Sequence, residues 1–289
     1  MIKEITARTL LSTAKQPDPW FGIKYNMNLY RGCQHQCIYC DSRSDCYQIE
    51  DFSDVLVKVN AIELLEKELS RKRVKGTIGF GAMNDCYMPL EANRKLTQGA
   101  LEVIARRLFP VHILTKSDLV VRDVDVLKQI NQVYAAVSFS ITTADDRLGK
   151  LVEPGAALVS DRFAAMRTLA QHGILTGVTL MPVLPFLEDN QENIAAIVRL
   201  ASENGASYIL AAFGLTMRDR QRAYFYEKLD QLFPGVRAKY EKRYGERYEC
   251  SDPDANQLQK VFKELCAEYG IETKMRFFNP PQVIQPSLI

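Results

Sequence analysis

Three cysteines within eight residues, in the run Tyr30-Arg31-Gly32-Cys33-Gln34-His35-Gln36-Cys37-Ile38-Tyr39-Cys40, carry the most distinctive chemistry in this sequence. The C-x3-C-x2-C spacing offers three thiolates from one short loop, and a cubane [4Fe-4S] cluster takes four ligands, usually all thiolate. Three protein ligands leave one iron open to a molecule that is not protein. Other readings of the thiols stand beside this one. At i, i+4 and i+7 they would share one helix face, and free cysteine is often buried; against that, Gly32, Gln34, His35, Gln36 and Asp41 make a poor core helix, and Gly32 suits a loop that passes close to a ligand. Zinc is a rival, with Cys37 and Cys40 as half a site and His35 or Cys46 completing it, although no second C-x-x-C hook occurs. A thioredoxin-like redox pair leaves Cys33 without a role.

A loop of this kind needs a scaffold, and the hydrophobic periodicity predicts one. Lys24 to Tyr30 reads as a strand feeding the cysteine loop, and a helix follows from Asn60, which caps it with Glu63 three residues on. Strands at Thr77 to Phe80, Val111 to Thr115, Val133 to Ile141, Ile174 to Met181 and Tyr208 to Phe213 come next. They alternate with helices at Asn93 to Leu108, Asp123 to Ile130, Asp161 to His172, Asn190 to Asn204 and Arg218 to Leu232. Six β/α repeats with short turns predict an α/β fold, an open, partial (β/α)6 TIM-type barrel. Phe233-Pro234-Gly235 ends the alternation. Residues 1–232 are therefore expected to form the barrel with an N-terminal extension, and 233–289 a C-terminal extension packed on it. That extension carries a helix over Asp254 to Tyr269 and an irregular end from Pro280-Pro281 to Pro286.

Composition fits this picture. A chain of 289 residues with 47% hydrophobic content can bury a large core as a single barrel unit. The formal charge of +2 is too near neutral to imply nucleic acid by itself. The start Met1-Ile2-Lys3-Glu4-Ile5 has no signal-peptide core and no stretch approaches 18 uninterrupted apolar residues, so a cytoplasmic location without a membrane span is expected. Seven cysteines, three of them clustered, suit a reducing compartment better than a disulfide framework.

In a parallel barrel, ligands gather at the C-terminal ends of the strands. The segments there are polar and specific: Asn84-Asp85-x-Tyr87-x-Pro89-x-Glu91, Thr115-Lys116-Ser117 with Arg122-Asp123, Ser138-x-Ser140-Ile141-Thr142, and Glu153-Pro154-Gly155 with Arg162. Taken in order with Asn28-Leu29-Tyr30-Arg31-Gly32-Cys33 and Tyr39-Cys40, they make the chain resemble radical S-adenosylmethionine (SAM) proteins of the spore photoproduct lyase-like, DNA repair photolyase-related group, from about Asn26 to about Phe213. The resemblance implies a [4Fe-4S] cluster on Cys33, Cys37 and Cys40, SAM on the open iron, and a reduced flavodoxin or ferredoxin-type protein as electron donor. It further implies that Tyr39 packs near the adenine, and that Asn84 and Asp85, Lys116, Ser140 and Glu153 hold the amino-acid end and ribose of SAM. Each has a plainer reading: a snorkelling lysine for Lys116, a small residue in a crowded barrel for Ser140, and a helix end before proline for Glu153.

One position departs from the pattern. In the pattern of these lyases a hydrogen-donating cysteine lies shortly before the Ser-Asp pair of the strand-two loop, and Ala82 stands there instead. Cys86 and Tyr87 are the candidate catalytic residues that remain, as thiol hydrogen donor and radical relay, with burial as the alternative for both. The substrate is least legible. From Met217 to Cys250, Arg218, Arg220, Arg222, Arg237, Lys239, Lys242, Arg243 and Arg247 are interleaved with tyrosines and Phe225, a pattern that suits nucleic acid. Tyr240, Tyr244 and Tyr248 could equally form one helical face against the barrel, and a small-molecule or peptide substrate stays open.

Overall fold

The computed structural model describes residues 1–49 and 51–280. Two short strands, β1 (Ile2–Ile5) and β2 (Leu11–Thr13), precede β3 (Ile23–Met27), which begins the regular alternation. β4 (Tyr30–Arg31) leads into the cysteine loop, β5 (Val55–Lys58) follows it, and α1 (Ala61–Ser70) returns the chain to the barrel. The repeats continue through β6 (Thr77–Phe80), α2 (Glu91–Arg94), α3 (Leu96–Arg106), β7 (Val111–Thr115), α4 (Val124–Ile130) and β8 (Ala135–Ser140). Then come α5 (Asp146–Val152), α6 (Val159–Gln171), β9 (Leu175–Val183), α7 (Gln191–Glu203), β10 (Tyr208–Thr216) and α8 (Asp219–Leu232). α9 (Val236–Tyr244), β11 (Glu249–Ser251) and α10 (Ala255–Glu268) complete the described chain.

β3, β6, β7, β8, β9 and β10 pair in that order, all parallel. β2 and β11 lie antiparallel at the two edges and do not pair with each other, so the barrel is open, as expected. A second sheet, β1-β5-β4, frames the cysteine loop. Parallel barrel strands face helices on one side and the lumen on the other, which is why β6 and β8 are buried at every position. Outside, α1 buries Ala61, Leu65 and Leu69, and α10 buries Leu258, Phe262 and Cys266, both at i, i+4, i+8 spacing. α10 packs on α7 and β10.

The lumen has a packed floor. His112 Nε2 lies 2.8 Å from the Ser138 hydroxyl, which lies 2.6 Å from the Tyr208 hydroxyl, and Phe21 stacks on His112 at 4.4 Å. A Cβ on Gly177 would fall 2.4 Å from the Tyr208 ring, so this β9 glycine makes room for it. Space above that floor is left at the strand C-termini.

Several boundaries differ from expectation for physical reasons. The strand expected over Lys24 to Tyr30 is two, since the chain leaves β3 after Met27 and Tyr30-Arg31 pairs with β5. The helix expected over Asn93 to Leu108 breaks at Lys95, whose left-handed φ of 53° separates α2 from α3. Asn60 does not cap α1; its amide instead pairs with both backbone groups of Ala7 at 2.9 Å, tying down the N-terminal extension. Tyr240 and Tyr244 share a buried face on α9, but Gly245 ends that helix, and Tyr248 lies beyond it, exposed. The edge strands, α5 and α9 were not foreseen. Of the proline-rich end expected from Pro280 to Pro286, all but Pro280 lies outside the described residues.

Glu188, in the turn after β9, is fully buried. It accepts hydrogen bonds from the Thr142 hydroxyl at 2.8 Å and the Leu184 N–H at 2.9 Å. Burial pushes its carboxyl from the ordinary 4.5 up to about 8. The folded state thus holds a proton that the unfolded chain releases, and this contribution to stability is full below pH 4.5 and falls as pH rises toward 8. Thermal unfolding across pH 5 to 8.5 should show that decline, and Glu188→Gln should flatten it; an equally steep decline in the variant would refute the assignment.

Candidate active site

The cysteine loop is shaped by close backbone approaches. Gly32 sits at φ +79°, and a Cβ there would lie 2.1 Å from the Asp54 carbonyl, so only glycine lets the chain pass beside the strand pair β4–β5. Beyond it, Cys33, Cys37 and Cys40 all line one cavity of about 160 Å³. Its other walls are the strand-end residues Ala82, Asn84, Asp85, Lys116, Ser140 and Thr179, with Met181 and Pro182. Cys33 and Cys37 are buried, and burial pushes the Cys33 thiol up to about 12 and the Cys37 thiol well above its ordinary value. Bound metal reverses that preference by favouring thiolate. Among the described residues no three His, Cys, Asp or Glu side chains converge as ligands of one metal ion. Three thiols on one cavity match the three thiolates that a loop with an open fourth ligand position would offer.

Glu153 stands behind the loop, outside the cavity lining. It is fully buried, pairs with Arg162 at 2.5 Å and Lys116 at 3.9 Å, and accepts a hydrogen bond from the Tyr39 hydroxyl. Burial alone would raise its pKa; Arg162 and Lys116 outweigh that and hold the carboxyl below its ordinary range. Arg162, 1% exposed, also donates to the carbonyls of Ser140 at 2.8 Å and Ala157 at 2.8 and 3.0 Å. The backbone repeats the connection: Ile38 N–H donates to the Val152 carbonyl and Gly155 N–H to the His35 carbonyl, each at 2.9 Å. The segment from Val152 to Ala157 is therefore a latch on the cysteine loop. Its core, the Glu153–Arg162 pair, was legible only as two residues of a motif.

The strand-two loop divides in the same way. Asp85 lines the cavity, but its carboxylate accepts from the Thr115 hydroxyl at 2.8 Å and from the N–H groups of Lys116 at 2.6 Å and Tyr87 at 2.8 Å. Asn84, also on the lining, donates to the Tyr30 carbonyl. Cys86 and Tyr87 are not on the lining. Both are buried in the main core, where Tyr87 donates to Asp123 at 2.9 Å and the Cys86 carbonyl accepts from Thr97 at 2.6 Å. The structure thus corrects the expectation of a Cys86 thiol on the rim: the turn points it inward. Glu91 is fully buried between Arg122, at 2.8 Å, and the Tyr30 hydroxyl, so this part of the motif holds the loop.

Ser140 lines the cavity, with its hydroxyl accepting from Thr179 at 3.1 Å, while Ser138 on the same strand face belongs to the floor below. Lys116, 19% exposed, is the one Lys or Arg among the described lining residues, and its ammonium lies 5.8 Å from the Tyr39 ring centre. Burial works against its charge, but Cys37 and Glu153 outweigh that and push its pKa above the ordinary lysine value. Thr179, Met181 and Pro182 were missed, because nothing about an apolar strand end marks which residues face a cavity.

Half of the basic segment is neutralised. Arg218 pairs with Asp41 at 2.6 Å, Arg220 with Asp45 at 2.8 Å, Arg222 with Glu246 at 3.4 Å, and Arg237 with Asp230 and Glu241, each at 2.8 Å. Lys239, Lys242, Arg243 and Arg247 form no ion pair among the described residues, so the expected run of cations is broken in its first half only.

A family model described as the radical SAM superfamily matches residues 27–201. The chain belongs to that superfamily and is a radical SAM enzyme. It is 35% identical over 191 residues to the uncharacterized protein MJ0683 of Methanocaldococcus jannaschii, covering 65% of this chain and 70% of the relative. To the radical SAM Nalpha-GlyT isomerase of Pseudomonas phage M6 it is 24% identical over 207 residues, covering 72% of this chain and 41% of that protein. Among solved structures, spore photoproduct lyase complexed with dinucleoside spore photoproduct superposes with a TM-score of 0.69 at 16% identity, covering 93% of this chain and 79% of that one. The fold is shared with that enzyme. No helix among the described residues is long and apolar enough to cross a membrane.

Proposed function

We propose that this enzyme holds a [4Fe-4S] cluster on Cys33, Cys37 and Cys40, cleaves SAM reductively, and removes a hydrogen atom from a substrate beside it. The observation that carries this reading is the single cavity shared by three thiols, one lysine and the strand-end hydroxyl of Ser140. When bound, the cluster supplies the electron that breaks the SAM sulfonium, drawn from a reduced flavodoxin or ferredoxin-type donor. The protein's own part is positional. Lys116 meets the SAM carboxylate by a charge-assisted bond, Tyr39 is held by Glu153 against one wall, and Asp85 fixes the turn that presents Asn84 and the Lys116 backbone.

Anaerobic reconstitution with iron and sulfide, then reduction in the presence of SAM, should yield 5′-deoxyadenosine, and the Cys33→Ala, Cys37→Ala and Cys40→Ala variants should yield none. A protein with an intact cluster that leaves SAM uncleaved would sink the proposal. Because Cys86 lies in the core, Cys86→Ala should leave 5′-deoxyadenosine formation within about twofold while lowering stability by about 1–2 kcal/mol. A larger loss of product would return the thiol to the reaction.

A nucleic-acid substrate is favoured by the dinucleoside ligand named for the lyase complex. Oligonucleotide binding that weakens steeply with salt would support it. Binding that is absent at low salt would exclude it.

A further inference from the structure

A second, larger cavity of about 690 Å³ adjoins the first. The two share Tyr39, Cys40, Ser42, Ala82, Met181 and Pro182 in their linings, so a molecule in the larger one abuts whatever fills the smaller. Its opposite side is the barrel edge, from Ala212 to Thr216 on β10 and all of β11. There a Cβ on Gly214 would fall 2.5 Å from the Cys250 carbonyl, so the glycine lets β11 close against β10 and bring Glu249 to the cavity. Ring faces are plentiful. Trp20, the chain's single tryptophan, lines the space while remaining 43% exposed, with Tyr47 and Phe213 beside it.

Charge narrows what fits. No Lys, Arg or His is among the described residues that line this cavity, but two carboxylates are. Asp41 is already met by Arg218 at 2.6 Å. Glu249 has no ion-pair partner among the described residues and is exposed. A phosphate or carboxylate entering here would lose hydration with no Lys, Arg or His among the described lining residues to receive it, whereas an amine would meet Glu249. The volume lies in the range of ordinary small-molecule sites, mostly apolar with a few placed polar groups.

Given the SAM-cleaving reading above, we propose that this cavity is the substrate site, that it takes an uncharged or amine-bearing planar heteroaromatic ring, and that Glu249 selects for positive charge. Anionic parts of a larger substrate stay outside. Ala82, on both linings, then stands between substrate and SAM without a reactive group.

Three rings of one size but different charge test this: 5-aminomethyluracil, thymine and 5-carboxyuracil, titrated into the full-length protein and read by Trp20 fluorescence and by calorimetry. The amine-bearing ring should bind about tenfold more tightly than the carboxylate, with thymine between them. Glu249→Gln should shrink the gap to under threefold, and Glu249→Lys should reverse it. Three results would overturn the proposal: the carboxylate ring binding as tightly as the amine, the preference persisting in Glu249→Gln, or none of the rings binding. The titration needs no SAM cleavage, so failure here and failure to form 5′-deoxyadenosine are separate outcomes.

Discussion

Replacing Arg162 with leucine is expected to destabilise the protein by about 3–5 kcal/mol, the usual consequence of stranding one partner of a buried ion pair. Glu153 is 2% exposed, and without the guanidinium its nearest cation is Lys116 at 3.9 Å. The carbonyls of Ser140 and Ala157 would lose their donor as well. Glu153→Gln strands the guanidinium in turn but leaves it an amide oxygen and both carbonyls as acceptors, so it should also destabilise, by less than Arg162→Leu. The double variant Glu153→Leu/Arg162→Leu should lose less than the sum of the two leucine variants, since neither charge is then left alone. Glu153 is held below its ordinary carboxylate range, so its contribution is present above the ordinary 4.5 and is lost as pH falls through the folded value. Urea unfolding near neutral pH measures the variants, and its repetition below pH 4.5 measures the acid loss. A loss below about 1 kcal/mol for Arg162→Leu would show that the latch is not held by this pair.

The second large effect is expected from a single methyl group. A Cβ on Gly155 would lie 2.1 Å from the Gln34 carbonyl oxygen and 2.9 Å from the His35 α-carbon, both backbone, so the cysteine loop itself must move. Gly155→Ala should therefore retain less than about a fifth of the wild-type iron after reconstitution, with SAM cleavage lost in proportion, as expected where overpacking displaces a positioned loop. Gly173→Ala is the control. Gly173 sits at φ +75°, and a methyl there would meet nothing within 4 Å, so only backbone strain of about 1 kcal/mol is expected, with full iron binding. Equal iron in Gly155→Ala and wild type would remove the latch from the site.

Sequence patterns carried the barrel well because its strands are apolar and bounded by turns. Thr77–Phe80 and Val111–Thr115 come out as expected to the residue. What was not legible depends on partners far along the chain. β4 is a strand because it pairs with β5 beside the cysteine loop, β5 because it lies between β4 and β1, and β11 because Gly214 lets it approach β10. At the candidate site, residue types singled out the thiols and the lysine that line one cavity. Direction was another matter: Cys86 follows Asp85 by one residue, yet the turn that aims Asp85 at Thr115 and Lys116 sends the next side chain into the core. Glu153 shows the same limit, since a carboxylate near a cationic sulfonium and one that braces Tyr39 look alike until Arg162 is placed beside it. The basic run after Met217 is interrupted at its start because Asp41 and Asp45, far upstream in the cysteine loop, pair with Arg218 and Arg220.

Mössbauer spectroscopy of protein reconstituted with ⁵⁷Fe, with and without SAM, tests most directly whether three thiols leave one iron for an outside ligand. One iron in four should change its environment when SAM is added while the other three keep theirs. A zinc centre without iron, or four irons indifferent to SAM, would contradict it.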